Sequence, residues 1–322
     1  MKVTRAMLHP ELRFRGAAIR LLWPAFTVRK LRVCNRAMRL AAPLLRFPLA
    51  NRQDVFLPRE DGSHLRLCIY APKTRLGVSV PGLLWLHGGG YALGCPEQDT
   101  GFIRRFLAAA PCVIFAPAYT LSPQAPYPAA LKDAYHALLW LRDNAARLGV
   151  RTDQLFVGGD SAGGGLTAAL CLYARDKGEV SIAFQMPLYP MLDDRMASTS
   201  MRENDAPIWN AQSNAAAWQL YLGERFGKED TPIYAAPSRA DDLSHLPPAL
   251  SFVGEVDPFR DEAAEYFKRL SAAGVPVSFR VFPGCFHGFD LFRRTAPGRE
   301  AAAFLLAGFC HAAEHCRRAQ PE

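Results

Sequence analysis

The chain has 322 residues, half of them apolar, which is enough for one large globular α/β domain or for two smaller ones. Its net charge of +8 lies wholly in residues 1–50, where eleven Lys or Arg stand against Glu11 alone, while residues 51–322 carry 27 basic against 29 acidic residues; this charge forms no patch with a nucleic-acid-binding motif, which excludes nucleic acid as the partner. No run reaches the ~20 apolar residues of a membrane span, no apolar leader precedes a small-residue cleavage site, and the eight cysteines include no C-x-x-C pair, so the reading is a cytoplasmic protein with unpaired thiols.

In chain order, residues 1–50 come first as a cap segment. Their cations are interleaved with Leu21, Leu22, Trp23, Phe26, Leu31 and Leu45, a composition that suits either weak contact with an anionic membrane surface or a helical cover on the body of the protein. Pro24, Pro43 and Pro48 break any long amphipathic helix and favour the cover. From residue 54 onward short apolar runs alternate with longer helical patterns, the mark of a mostly parallel sheet with helices on both faces. The runs predict strands over Leu65–Tyr70, Leu83–Leu86, Val113–Ala116, Leu155–Val157, Ile182–Leu188, Leu250–Val253 and Val277–Val281, and helices over Ala129–Leu148, Ala162–Ala174, Asp261–Ala273 and Arg299–Ala313. Residues 193–227, with Trp209, Trp218, Tyr221 and Phe226, fall outside this rhythm and read as a cap insertion in a single catalytic domain over residues 51–322.

Five glycines surround one serine in "GGDSAGGGL", Gly158 to Leu166. Glycine loses the most conformational freedom when fixed, so the cluster implies a turn that side chains would block. Gly159-Asp160-Ser161-Ala162-Gly163 is G-x-S-x-G between a predicted strand and a predicted helix, which would hold the Ser161 hydroxyl out on a strained elbow. A serine hydroxyl needs a base, and the base a group that fixes its tautomer. In this architecture the acid and then the histidine follow the serine. "VGEVDPFRDE" supplies Asp257 and "FPGCFHGF" supplies His287, each just past a predicted strand, where a parallel sheet binds its ligands. Glu255 and Asp261 compete for the acid's place, but Asp257 stands in the loop while Asp261 opens the next helix.

Upstream, His87-Gly88-Gly89-Gly90 follows a strand. Backbone N–H groups among Gly88, Gly89 and Gly90, with that of Ala162, would meet the oxyanion of a tetrahedral intermediate. His87 precedes the serine and is read as a support of the glycine loop. "HAAEH", His311 to His315, fits a zinc-helix pattern, but a catalytic zinc needs a third protein ligand as well as an open position, and the few residues that follow continue no zinc-site motif, so no metal is assigned.

Together these residues resemble the hormone-sensitive-lipase-like carboxylesterases, family IV of the α/β-hydrolase fold, over about residues 55–312. The resemblance rests on His87-Gly88-Gly89-Gly90-Tyr91, Gly159-Asp160-Ser161-Ala162-Gly163-Gly164, Asp257-Pro258-Phe259-Arg260-Asp261-Glu262 and His287-Gly288-Phe289, with "YTLSPQAPYPAALKD" at Tyr119 to Asp133. It implies an eight-stranded sheet, a helical cap from the N-terminal segment and the insertion, and cofactor-free hydrolysis of short- to medium-chain carboxyl esters. It further implies Ser161 as nucleophile, His287 as base and Asp257 as orienting acid, and pairing of two copies through the last strand and helix. Thr120 and Gln124 replace the family's Arg and Glu, which removes a source of loop support, and Phe259 replaces a Leu. Tyr91, Trp209, Trp218, Tyr221 and Phe289 are candidates to line the substrate pocket and equally candidates for cap core. Two other readings share the fold: an amide or formamide hydrolase with the same triad, and a non-catalytic small-molecule receptor, against which the presence of His287 counts.

Overall fold

The computed structural model describes residues 1–41, 51–72 and 78–321; Pro43, Leu45 and Pro48 of the N-terminal segment lie outside them. Eight strands, β1 (Arg52–Pro58), β2 (His64–Tyr70), β3 (Val80–Leu86), β4 (Val113–Pro117), β5 (Val150–Asp160), β6 (Phe184–Leu188), β7 (Ala249–Gly254) and β8 (Val277–Phe282), form one sheet in the order β1-β2-β4-β3-β5-β6-β7-β8. β2 runs antiparallel to both β1 and β4, and every later pairing is parallel.

Alternation along the central strands sorts side chains to two cores, because successive residues of a strand point to opposite faces. Leu84 and Leu86 of β3 with Leu155 and Val157 of β5 join one core, into which α4 (Ala129–Asn144), α5 (Ala162–Lys177) and α7 (Arg260–Ala272) pack. Leu83, Trp85 and Phe156 point the other way, against α3 (Thr100–Ala109) and α8 (Ala296–His315). Both faces are covered, which is why these strands read as unbroken apolar runs.

The seven predicted strands are present, several with longer ends. β1 was not legible: it is an edge strand that opens on the polar run Arg52-Gln53-Asp54, leaves Gln53 and Phe56 exposed and ends at Pro58, so it carries little apolar signal. α3 was also missed. The last helix starts three residues earlier than expected, at Ala296, where the Thr295 side chain accepts the N–H of Gly298 as an N-cap.

The N-terminal segment forms two helices, α1 (Arg13–Leu22) and α2 (Val28–Ala41), and the 193–227 stretch contains α6 (Ala211–Leu222). They are tied together: Phe26 N–H donates to Ser213 Oγ at 2.9 Å and Asn210 Nδ2 to the Pro24 carbonyl at 2.6 Å, and the Arg20 guanidinium donates to the Asp205 and Val3 carbonyls. All eight cysteines are free thiols. Among the described residues no helix is long and apolar enough to cross a membrane.

Candidate active site

β5 ends at Asp160 and α5 begins at Ala162, leaving Ser161 between them at φ 56°, ψ −118°. A non-glycine residue rarely occupies this region, so the turn is strained and is held by its surroundings. Ser161 N–H donates to the Leu188 carbonyl, and its own carbonyl accepts from Gly165 and Met191 N–H. A Cβ at Gly159 or Gly163 would run into the Leu86 carbonyl, and at Gly163 also into that of His87. This close approach of strand, turn and helix is the physical reason for the glycine cluster.

Two loops past strand ends carry the other residues to Ser161. His287, in the loop after β8, places Nε2 2.9 Å from Ser161 Oγ and Nδ1 2.8 Å from Asp257 Oδ2. Asp257, after β7, is fully buried, and its other oxygen accepts the Phe259 N–H at 2.9 Å. Because a carboxylate faces Nδ1, that nitrogen carries the ring proton and Nε2 is left to accept from the serine. Phe259 stands edge-on to the His287 ring at 5.1 Å, as does Tyr189 at 5.0 Å; its ring packs against the base, while its backbone N–H, which any residue but proline would supply, holds the acid. Glu255 and Asp261 bond elsewhere, to Gly284 N–H and to Ser200 N–H and Arg260.

The glycine loop needs one correction. Gly88 N–H donates to Asp160 Oδ1 at 2.8 Å, so it is not free to meet an oxyanion. Among the described residues nothing accepts the N–H of Gly89, Gly90 or Ala162, the last being an orphan donor at the start of α5. His87 is fully buried, stacked on Tyr119 at 4.3 Å, and its Nδ1 lies 2.8 Å from the Gly88 carbonyl. Burial pushes its pKa down to about 4, so it is a neutral brace for the loop.

Behind this loop lies an acidic pair that sequence reasoning missed, Asp99 buried and Asp160 half-buried. Asp160 is in hydrogen-bond contact with Asp99, which accepts the Trp85 indole N–H at 2.8 Å. Burial first, and the Asp99 charge second, hold the Asp160 carboxyl well above the usual carboxylate range. Two carboxyls in contact away from water share a proton rather than both ionise. The x position of G-x-S-x-G gives no sign of this pairing, because Asp99 comes from a different loop.

The aromatic candidates separate. Trp209 lies over the glycine loop, where a Cβ at Gly90 would strike its ring, and its ring centre is 6.3 Å from that of His287. Phe26 of the N-terminal segment packs on Trp209 at 5.8 Å, a neighbour the sequence did not disclose. Tyr91 stacks on Tyr221 at 3.9 Å and packs beside Trp218, and all three are buried. Phe289 is fully buried between Phe252 and Phe282. Tyr91, Trp218 and Phe289 are therefore packed as core residues, correcting their place among the substrate contacts: in each case aromatic packing claims the ring.

The loss of loop support expected at Thr120 is made good locally. Thr120 donates its N–H and hydroxyl to Asp133 Oδ2, both at 2.7 Å, and Arg59 binds the same carboxylate through two bonds of 2.7 and 2.8 Å. At the far end of the chain, His311, Glu314 and His315 are exposed on the last turns of α8.

An alpha/beta hydrolase fold family model matches residues 83–291. The esterase LipI of Mycobacterium tuberculosis is 35% identical over 236 residues, covering 73% of each chain. The arylesterase of Saccharolobus solfataricus is 32% identical over 251 residues, 78% of this chain and 80% of its own. Among solved structures, the bacterial heroin esterase superposes with a TM-score of 0.87 at 35% identity, covering 97% of this chain and 99% of that one. The esterase of the archaeon Pyrobaculum calidifontis gives 0.82 at 31% identity, covering 95% and 99%. A shared sheet, a serine on the turn after its central strand and this level of identity lead to one conclusion: the chain belongs to the hormone-sensitive-lipase-like, family IV carboxylesterases of the α/β-hydrolase fold.

Proposed function

We propose that this carboxylic ester hydrolase works through an acyl-enzyme on Ser161, with His287 as general base and acid and Asp257 as the residue that orients it. The reading is carried by one observation: a buried His287 bonded at once to Ser161 Oγ (2.9 Å) and to Asp257 (2.8 Å), with the serine on a strained turn. As Oγ attacks the ester carbonyl, its proton passes to Nε2, and the hydrogen bond from Nδ1–H to Asp257 favours the resulting imidazolium. Negative charge gathers on the former carbonyl oxygen, for which the N–H groups of Gly89, Gly90 and Ala162 are available. Each such donor typically contributes about 3–4 kcal/mol to the transition state. His287 then returns the proton to the departing alkoxide, and water repeats the sequence on the acyl-enzyme.

In this reading residues 51–322 are the catalytic domain, and the N-terminal segment with the 193–227 insertion forms the cap that bounds the substrate. Trp209 over Gly90, backed by Phe26, supports a limited acyl pocket and hence short- to medium-chain esters.

The test is turnover of a chain-length series of p-nitrophenyl esters by the full chain beside Ser161→Ala and His287→Ala. We expect no turnover by the first and a loss of about 10⁴-fold or more in kcat by the second. Wild-type-like turnover in either variant overturns the assignment, and faster cleavage of matched amides than of esters moves it to amide hydrolysis.

A further inference from the structure

The helices α1 and α2 turn a narrow face inward. Gly16, Leu31 and Asn35 are buried, and the segment is fastened by Arg20 to the Asp205 and Val3 carbonyls and by Phe26 N–H to Ser213. What they leave outside is unusual for a cover. Phe14, Leu21, Leu22 and Leu40 are each more than three-quarters exposed, Val33 61% and Trp23 44%. Among them stand exposed Arg15, Arg29, Lys30, Arg32 and Arg36, and no acidic residue occurs between Glu11 and Asp54. On α2, Arg29, Val33, Arg36 and Leu40 follow i, i+4, i+7, i+11 and so share one stripe. Beside it Arg32, Arg36 and Leu40 line a groove of about 780 Å³ against Pro123 and Gln124.

We propose that the outer surface of the α1–α2 segment docks on an anionic lipid bilayer, Phe14, Leu21, Leu22, Trp23, Val33 and Leu40 entering the headgroup boundary and Arg15, Arg29, Lys30, Arg32 and Arg36 meeting lipid phosphates. Apolar side chains and cations intermingled on the exposed faces of both helices, with acids absent, match the two components of membrane-surface binding, apolar burial and attraction to anionic lipid. A second copy of the chain fits the charge poorly, since self-association through this surface would set arginines against arginines. A nucleic acid would leave the exposed leucines and Trp23 in water. The docking surface also connects to the catalytic centre: Trp23 packs on Phe26 at 5.6 Å, Phe26 on Trp209 at 5.8 Å, and Trp209 faces His287 at 6.3 Å. Esters dissolved in the bilayer would thus meet the cap at its apolar edge. Only this last benefit rests on the proposed esterase reading, because docking is measured apart from turnover.

The experiment is flotation of the full chain with vesicles of phosphatidylcholine alone and of phosphatidylcholine with phosphatidylglycerol, at low and high salt. Wild type is expected to float with the anionic vesicles and to be released by salt. Arg29→Gln/Arg36→Gln should weaken partitioning about 30-fold, each cation near such a surface being worth about fivefold. Leu21→Ser/Leu22→Ser should weaken it by more than about tenfold, with hydrolysis of a short, water-soluble ester unchanged in both variants. Four results overturn the proposal: no flotation with anionic vesicles, equal flotation with neutral ones, a concentration-dependent dimer that Leu21→Ser/Leu22→Ser dissolves, or retention of a duplex oligonucleotide without vesicle binding. Loss of turnover in Ser161→Ala bears only on the catalytic reading and leaves docking untouched.

Discussion

Gly88 N–H donates to Asp160 Oδ1 at 2.8 Å, so the residue before Ser161 holds the glycine loop in place. A Cβ at Gly88 would collide with the same carboxyl group, which keeps loop and elbow in direct contact. In the proposed mechanism Asp160 is thus a positioning residue that acts through the loop.

Asp160→Asn keeps an acceptor for Gly88 and a donor for Asp99 and should retain kcat within about tenfold. Asp160→Ala leaves a buried N–H unpaired, costing about 1–3 kcal/mol of stability, and should lose roughly 100-fold in kcat through loop misplacement. The wild-type carboxyl is held above its unfolded value, so its contribution to stability is complete at low pH and declines as pH rises through the folded value. Asn cannot deprotonate, and Asp160→Asn should gain on wild type in thermal melts as pH rises above the ordinary carboxylate range. A difference that does not change with pH would mean that the Asp160–Asp99 pair is not protonated.

Asp257→Asn preserves shape but removes the carboxylate that selects the Nδ1–H tautomer of His287. A drop in kcat on the order of 10⁴-fold is expected with little change in melting temperature. Steady-state kinetics with an unaltered circular-dichroism spectrum would show it, and a loss below tenfold would remove Asp257 from its role.

His87 makes acid stability testable. Its folded pKa of about 4 lies below its ordinary 6.5, so the unfolded chain takes up the proton first. Stability is complete above pH 6.5 and falls as pH drops toward 4, by roughly 3 kcal/mol at 1.36 kcal/mol per unit. Glu97, held down to about 2 by Arg66 and Arg52 against the opposing effect of burial, acts in a lower window. Urea midpoints at pH 7, 5.5 and 4.5 should therefore fall in wild type and fall less in His87→Gln.

Asp133 accepts from Arg59 twice and from Thr120 twice while nearly buried. Truncation to Ala strands a guanidinium and a backbone N–H, and a loss of about 3–5 kcal/mol is expected by denaturant titration. An effect under about 1 kcal/mol would show that the ion pair is screened by water.

Trp209→Ala should open the space above Gly90. The acyl length giving the highest kcat/KM is then expected to increase by two or more carbons, roughly the depth of an indole, with hydrolysis of the acetyl ester reduced. An unchanged chain-length profile would place the pocket wall elsewhere.

The amino-acid order by itself determined the alternation of strands and helices, the strained turn at Ser161 and the sequence of serine, acid and histidine. Each of these is local: an apolar run, a glycine cluster or a loop just past a strand is written in neighbouring residues. Edge strand β1 escaped because half-exposed positions carry little apolar pattern. Only the tertiary structure decided that Gly88 N–H is taken by Asp160 and that Asp99 meets Asp160. The same holds for Phe26, which backs Trp209 across 183 positions, and for Trp218 and Phe289, which belong to the core. Those outcomes depend on which side chains the sheet and cap bring together from distant loops, and no short-range pattern encodes a contact whose partner lies elsewhere in the chain.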